Sequence, residues 1–233
     1  MPLARSRSKS TAFLFFATAL SLPAAAPEIT INLFDRSGIE AQQMAGVQRA
    51  AGESLRQAGV VVRWRNCQGG GDPACGEDDA THLVVAVLPE RMSRKIATSP
   101  KQFGLAATSG PGGFPSHAYI FYDRVVDLAR NEMVPWSLLL GATIAHEVGH
   151  LLLGDNSHFP VGIMRANWRP VEIKQALMGV LTFTSRQAEQ MRGDAQRRME
   201  AGRSALPGGH EVDGPKAAPA EFHMLDANAQ DGN

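Results

Sequence analysis

The spacing of apolar and polar positions divides the first half of the chain into short strands and one helix. Residues 28–34, EITINLF, alternate with a period of two, which predicts a strand with one buried face. Between residues 37 and 59 the apolar positions recur every three or four residues, which predicts a helix. VVVRWR, residues 60–65, and HLVVAVL, residues 82–88, predict two further strands, and the second is apolar enough to be buried on both faces.

The second half is predicted to contain one more strand and two helices. AYIFYD, residues 118–123, has the composition of a strand and follows a Gly-, Ser- and Pro-rich stretch, residues 104–116, that predicts a loop. Residues 135–153 begin with a proline, end before a glycine and are apolar around the helix axis, so this helix is expected to be buried on most sides. Thr184 and Gln187 have capping-box spacing and predict a last helix over residues 185–200.

Both ends of the chain differ from this middle part. The first ten residues carry three basic and no acidic side chains, a stretch of twelve apolar or small residues follows, and PAAAP comes next, which is the order of a secretory signal peptide. Such a stretch is shorter than the roughly 20 residues of a membrane-spanning helix. From residue 201 the chain is rich in Gly, Pro and Ala. We therefore predict a signal peptide over residues 1–26, one domain over residues 27–200 and a disordered tail over residues 201–233.

The charge balance bears on the partners of the mature protein. The chain has 23 basic and 23 acidic side chains, and removal of the signal peptide takes three basic ones, which leaves a net charge near −3. We therefore expect no nucleic-acid partner. The signal peptide predicts that the protein is secreted or periplasmic and has no stable insertion in a membrane after cleavage.

The two cysteines, Cys67 and Cys75, flank the flexible spacer QGGGDPA. A pair of thiolate ligands to a metal usually has a closer spacing and a second pair elsewhere in the chain. In an oxidising compartment we predict that these two cysteines form a disulfide.

The buried helix over residues 135–153 carries polar side chains that need partners, because unpaired buried polar groups are costly. His146 and His150 are four residues apart and project from one face, so both rings can bind one ion. Glu147 is too near the first histidine along the helix to bind alongside it and is free to act on a water molecule. An ordinary helix with a partly exposed histidine pair is the alternative, but His158 and the GIM stretch at residues 162–164 favour a zinc site.

With these residues the chain resembles the metzincin branch of the zincin metallopeptidases, whose pattern is HExxHxxGxxH followed by a turn that carries a methionine. The resemblance covers residues 28–168. It implies an α+β fold that is α/β-like in its N-terminal part, with a zincin/metzincin-like mixed twisted sheet, an active-site helix and a small C-terminal helical part. The roles it implies are zinc (Zn2+) as cofactor, His146, His150 and His158 as ligands, Glu147 as general base and Met164 in the turn.

The spacing departs from the family pattern at the third ligand. The chain reads HLLLG and then DNSH, so each of the two segments is one residue longer than HxxG and xxH. His158 is preferred because the helix ends at Gly154 and a longer turn can return an imidazole to the ion. Four other side chains are alternatives for this place: Asp155, Asn156, Glu172 and Glu189.

These residues predict an exported zinc-dependent metalloendopeptidase that acts on a peptide or protein substrate. Three neutral imidazoles leave the ion its full charge and an open position, and Glu147 takes the proton of a water molecule that attacks the peptide carbonyl. The resemblance also implies an edge strand that pairs with the extended substrate, a role predicted for AYIFYD. The alternative is a zinc-holding protein that binds a peptide or another partner without cleaving it. Glu147 favours catalysis, since a structural site has no use for a base.

Overall fold

The structure is a computed structural model of the 233-residue chain and describes residues 25–68, 75, 79–107, 113–154 and 156–205. Asp155, nearly all of the predicted signal peptide and the predicted tail beyond residue 205 lie outside these residues. Five strands and six helices are found in the described part. Their order is β1 Glu28–Asp35, α1 Ala41–Gln57, β2 Val61–Cys67, β3 His82–Leu88, α2 Glu90–Ile96, β4 Gly104–Ala107, β5 His117–Phe121, α3 Tyr122–Asn131, α4 Trp136–Leu153, α5 Pro170–Leu177 and α6 Ser185–Ala205.

The strands form one mixed sheet in the order β2-β1-β3-β5-β4. Four strands are parallel, and β4 is antiparallel to β5 at one edge. Ile29, Ile31 and Leu33 of β1 are buried in the core as predicted, but Thr30 and Asn32 on the opposite face are buried as well. The prediction of a single buried face is therefore wrong, because β1 lies inside the sheet between β2 and β3 and is covered on both faces. A five-stranded, mostly parallel sheet with helices confirms the predicted α+β class with an α/β-like N-terminal part.

Helix α4 lies at the centre of the core, packed against α1 and the sheet. A Cβ atom added at Gly141 would lie 2.6 Å from the Cβ of Ala50 and 2.8 Å from the Val47 carbonyl oxygen, so this glycine allows α1 and α4 to approach closely. By length and composition α4 could cross a membrane, but 67% of it is buried inside the protein, as in the core helix of a globular domain. This packing fixes the position of the polar side chains that α4 carries.

Strand β4 was not predicted, and AYIFYD is not the edge strand that the sequence indicated. Residues 104–107 were assigned to a loop, yet they form the edge of the sheet and place β5 inside it. The strand in AYIFYD ends at Phe121, where α3 begins. The Asp123 carboxylate in the first turn of α3 accepts a hydrogen bond of 2.6 Å from the Glu90 N–H at the start of α2. This tertiary contact favours a helix where composition alone favours a strand.

The last helix begins as predicted and continues further. The Thr184 N–H donates to Gln187 Oε1 at 3.0 Å and the Gln187 N–H donates to Thr184 Oγ1 at 3.3 Å, which confirms the capping box. Helix α6 extends to Ala205, five residues beyond its predicted end. The guanidinium of Arg198, which is fully buried, donates to the Leu151 carbonyl at 2.9 Å and so ties α6 to the end of α4.

Cys67 and Cys75 form the predicted disulfide, with Cα atoms 6.1 Å apart. Cys67 is the last residue of β2, which is the edge strand opposite β4. The disulfide and β4 therefore lie on opposite edges of the sheet.

Candidate metal centre

Three histidines converge at the C-terminal half of α4. The Nε2 atom of His150 lies 3.1 Å from Nε2 of His146 and 3.2 Å from Nε2 of His158. Zinc binds imidazole nitrogens at about 2.0–2.1 Å in tetrahedral sites, which separates two such nitrogens by about 3.3 Å. In the part of the chain that the structure describes, this is the one group of three or more His, Cys, Asp or Glu side chains that could hold a metal ion. The donor set and its spacing fit zinc.

The loop after α4 brings His158 back to the helix. Gly154 has φ 82°, a left-handed conformation that suits glycine and ends the helix, and its N–H donates to the His150 carbonyl at 3.0 Å. Asn156 has φ 57° and continues the turn. The longer spacing between His150 and His158 is therefore compatible with three converging rings.

The alternatives for the third ligand have other positions or partners. Glu172 is buried, and its carboxylate binds the Arg169 guanidinium at 2.8 Å. That guanidinium lowers the pKa of Glu172 to about 2. Glu189 is exposed on α6 and Asn156 lines the cleft beside the histidines, whereas Asp155 lies outside the described residues.

A backbone carbonyl sets the tautomer of His146. The Nδ1–H of His146 donates to the Ile163 carbonyl oxygen at 2.7 Å, and the Trp168 Nε1–H donates to the same oxygen at 3.0 Å. Because a carbonyl can only accept, the proton is on Nδ1, and Nε2 keeps its lone pair for a metal. The Nδ1 atom of His150 lies 2.8 Å from the Ser157 hydroxyl oxygen, which can orient the second ring. Neither contact could be predicted from the motif.

Met164 is fully buried and packs against α4. A Cβ atom added at Gly149, the glycine of HEVGH, would lie 2.5 Å from Met164 Sδ and 2.8 Å from a ring carbon of Phe183. Gly162 precedes the methionine with φ 77°, and its carbonyl accepts the Arg165 N–H at 3.1 Å. The sequence GIM thus forms a tight turn that fills the space left by Gly149.

Burial favours the neutral form of the histidines, most strongly at His146 and His150. It lowers the pKa of His146 to about 4 and that of His150 to about 3, and it also lowers the pKa of His158. The neighbouring imidazoles disfavour a positive charge on His146 and His150 further. Neutral imidazole is the form that binds a metal ion, so these rings are ready to bind without the loss of a proton.

Glu147 lies between the histidines and strand β4. Burial raises the pKa of its carboxyl to about 8, and a hydrogen bond from the Ala106 backbone acts in the opposite direction. A Cβ atom added at Gly104 would lie 2.6 Å from Glu147 Cγ and Oε1. Gly104 therefore leaves the room that the Glu147 side chain occupies, and sequence reasoning did not single it out. Its only sign in the sequence was a glycine in a stretch that predicted a loop.

The histidines and Glu147 lie in a cleft of about 540 Å³. Strand β4 and the residues before it form one wall, and residues 165–168 form another. Trp168 is one of the residues that line the cleft. The wall formed by a strand is β4, and this corrects the prediction for AYIFYD.

No protein-family model matches the chain, and no curated protein matches it. Among solved structures, archaemetzincin from Methanopyrus kandleri is similar with a TM-score of 0.39 and 16% sequence identity. The similarity covers 78% of this chain and 99% of that chain. It is weak, so any function of the cleft has to rest on its own residues.

Proposed function

We propose that the chain is an exported zinc-dependent metalloendopeptidase. The observation that carries this proposal is the convergence of the Nε2 atoms of His146, His150 and His158 beside the buried carboxyl of Glu147, in a cleft bordered by an edge strand. Three imidazole ligands that leave an open position are typical of catalytic zinc sites.

His146, His150 and His158 would hold the ion through their Nε2 atoms. When bound, zinc would polarise a peptide carbonyl and make a water molecule easier to deprotonate. The Ile163 carbonyl and the Ser157 hydroxyl hold the rings of His146 and His150 in place from behind. Asp155 and Asn156 would not be ligands, and Glu172 and Glu189 would have other roles.

Glu147 is the proposed general base. It takes a proton from the attacking water and passes it to the amine that leaves. Burial makes this carboxylate a stronger base than an exposed one, because it raises the pKa of the side chain. The open edge of β4 can pair with an extended peptide and so place a scissile bond across the cleft.

Export is the part of the proposal that concerns the chain's first residues. The disulfide between Cys67 and Cys75 supports it, because structural disulfides persist mainly in oxidising compartments. Mass spectrometry of secreted or periplasmic protein should find a mature N-terminus near residues 25–28. Soluble cytoplasmic protein that still begins with Met1 would contradict export.

The experiment that tests the catalytic proposal compares Glu147→Gln with His146→Ala. Glu147→Gln should keep one zinc per chain and the fold, while peptide hydrolysis falls by about a hundredfold or more, the scale of a lost general base. His146→Ala should lose zinc and hydrolysis together. Zinc content by atomic absorption and cleavage of a broad peptide library measure both effects.

A zinc-holding protein that binds a partner without cleavage is the second candidate. It would be established if the zinc-loaded parent, both full length and ending at residue 205, cleaves nothing in the library. Glu147→Gln would then match the parent in every binding assay. The position of a buried carboxyl beside an open ligand position favours the enzyme.

A further inference from the structure

The walls of the cleft carry positive charge. Among the described residues that line it, three besides the histidines have a charged side chain: Lys101, Glu147 and Arg165. Glu147 is buried beside the histidines and is the one carboxylate in this described lining. Lys101 belongs to the wall before β4, and Arg165 belongs to the wall formed by residues 165–168. A ligand in the cleft therefore lies between two cationic side chains.

Lys101 belongs to a turn whose backbone is held by several hydrogen bonds. The Oε1 atom of Gln102 accepts from the Thr98 and Ser99 N–H groups at 2.9 and 3.1 Å. The Arg124 guanidinium donates to the carbonyl oxygens of Ser99 and Gln102 at 2.7 and 2.9 Å. The side chain of Lys101 is exposed, and it forms no ion pair with another residue that the structure describes. Its charge is therefore available to a ligand at a fixed place on the wall.

Arg165 is held on the opposite wall. Its guanidinium donates to the Asn167 carbonyl at 3.0 Å and to the Pro160 carbonyl, and its Nε atom lies 3.8 Å from the Glu172 carboxylate. The same carboxylate binds the Arg169 guanidinium at 2.8 Å. One carboxylate cannot neutralise two guanidinium groups, so this wall keeps a net positive charge. Arg165 is nevertheless partly neutralised, whereas Lys101 is not.

We infer that Lys101, with a smaller contribution from Arg165, makes the cleft select peptides with acidic side chains. This inference rests on the proposed function, since it names the substrate class of the same cleft. Strand β4 begins at Gly104, three residues after Lys101, so a peptide that pairs with this edge and continues beyond it passes the ammonium group. A Glu or Asp side chain of the peptide gains an ion pair there, and a Lys or Arg side chain is repelled.

Binding of two synthetic peptides to the zinc-free protein tests the inference without catalysis and without the charge of an ion. The acidic probe is a blocked peptide of alternating Ala and Glu, and the neutral probe has Gln in place of each Glu. Alternate side chains of a strand share a face, so one register always directs Glu side chains toward Lys101. At neutral pH and low salt the parent should bind the acidic probe about fivefold more tightly, the scale of exposed ion pairs. Fluorescence anisotropy of labelled probes measures the affinities.

Variants of Lys101 identify the group that is responsible. In Lys101→Gln the preference for the acidic probe should fall to about twofold, the part that Arg165 supplies. In Lys101→Glu the neutral probe should bind more tightly, because like charges now repel. Lys174→Gln is the matched control, since it removes the same charge from an exposed position on α5 that does not line the cleft, and it should keep the fivefold preference.

Three results would overturn the inference: equal or absent binding of the two probes by the parent, an unchanged preference in Lys101→Gln, or the same loss of preference in Lys174→Gln. Failure of the proposed function gives a different result. In that case the zinc-loaded parent cleaves nothing in the peptide library, while the zinc-free parent still prefers the acidic probe and Lys101→Gln loses most of that preference.

Discussion

The two sides of the histidine cluster are held in different ways. On the helix side, the ring of His146 is buried, and a backbone carbonyl at Ile163 fixes it from within the core. On the loop side, His158 is exposed and His150 depends on the hydroxyl of Ser157. The core therefore fixes the ring of His146, whereas the loop after α4 carries His158 and supplies the hydroxyl group that contacts the ring of His150. Loss of a ligand should cost fold stability on the first side and metal affinity on both.

The largest effect is expected when one histidine is removed from each side. His158→Ala should lower zinc affinity by more than about a hundredfold, which exceeds the loss expected when only a group that hydrogen-bonds a ligand is removed. It should leave the unfolding free energy of the zinc-free protein unchanged. His146→Ala should lower zinc affinity as much and also destabilise the zinc-free protein, because it empties a buried site. Competition with a chelator and urea unfolding measure the two effects.

Glu172→Ala and Glu189→Ala are the matched controls, and both should keep one zinc per chain. If Glu172→Ala or Glu189→Ala lost zinc while His158→Ala kept it, the loop side would not contribute a ligand. The third ligand would then come from a helix after the turn.

A second prediction uses pH on the helix side of the zinc-free protein. The pKa of His146 is lowered from 6.5 to about 4, so its contribution to stability is present above pH 6.5 and is lost as the pH falls through 4, at about 3 kcal/mol. The pKa of Glu147 is raised from 4.5 to about 8, so its contribution is present below pH 4.5 and is lost as the pH rises through 8, on the order of 5 kcal/mol.

Glu147→Gln should therefore remove most of the loss on the alkaline side and leave the acidic side unchanged. Urea unfolding of both proteins across this pH range measures the difference. Bound zinc should reduce the alkaline loss in the parent, because a nearby cation favours the carboxylate. Parallel stability curves for the parent and Glu147→Gln would show that Glu147 is not buried in solution.

The third prediction compares two glycines at the ends of the motif. Gly149→Ala should destabilise the protein by about 2 kcal/mol, because the new methyl group meets Met164 and Phe183 in the core. Gly154→Ala should cost about 1 kcal/mol, since no atom lies within 4 Å of the new methyl group and only the positive φ is unfavourable. Thermal unfolding of the two variants measures this difference in stability. An equal loss of stability in both variants would contradict the prediction.

The smallest effect is expected from the second contact of His150. Ser157→Ala should weaken zinc binding by about tenfold without a change in stability, because the ring loses the group that orients it. Ser157→Thr keeps the hydroxyl and should bind zinc like the parent. An unchanged affinity in Ser157→Ala would mean that the loop side positions His150 through other contacts.

The helix side was the part of the site that the sequence could predict. Helix α4 has a proline and a glycine at its ends and apolar residues around it, and His146 and His150 are four residues apart. These are local properties of the chain, which a single sequence contains. The predicted convergence of His158 agrees with the three Nε2 positions, while its role as a ligand stays a prediction.

Long-range contacts decided what the sequence could not predict. Strand β4 has the sequence GLAA, which lacks β-branched and aromatic residues, and it is a strand because β5 offers it an edge. The contact from His146 to the Ile163 carbonyl joins residues 17 positions apart, and Gly104 meets Glu147 across the cleft. Spacing within one segment contains no information on such contacts.

The disulfide between Cys67 and Cys75 stabilises a part of the fold that lies on the other side of the sheet from the cleft. It links the end of β2 covalently to Cys75. Three strands, β1, β3 and β5, lie between β2 and β4 in the sheet. A reducing environment would act on the far edge, whereas a shortage of metal would act on the cleft. Under the proposed function, the redox state of the surroundings would affect how long the folded protein persists, and the metal supply would determine its activity.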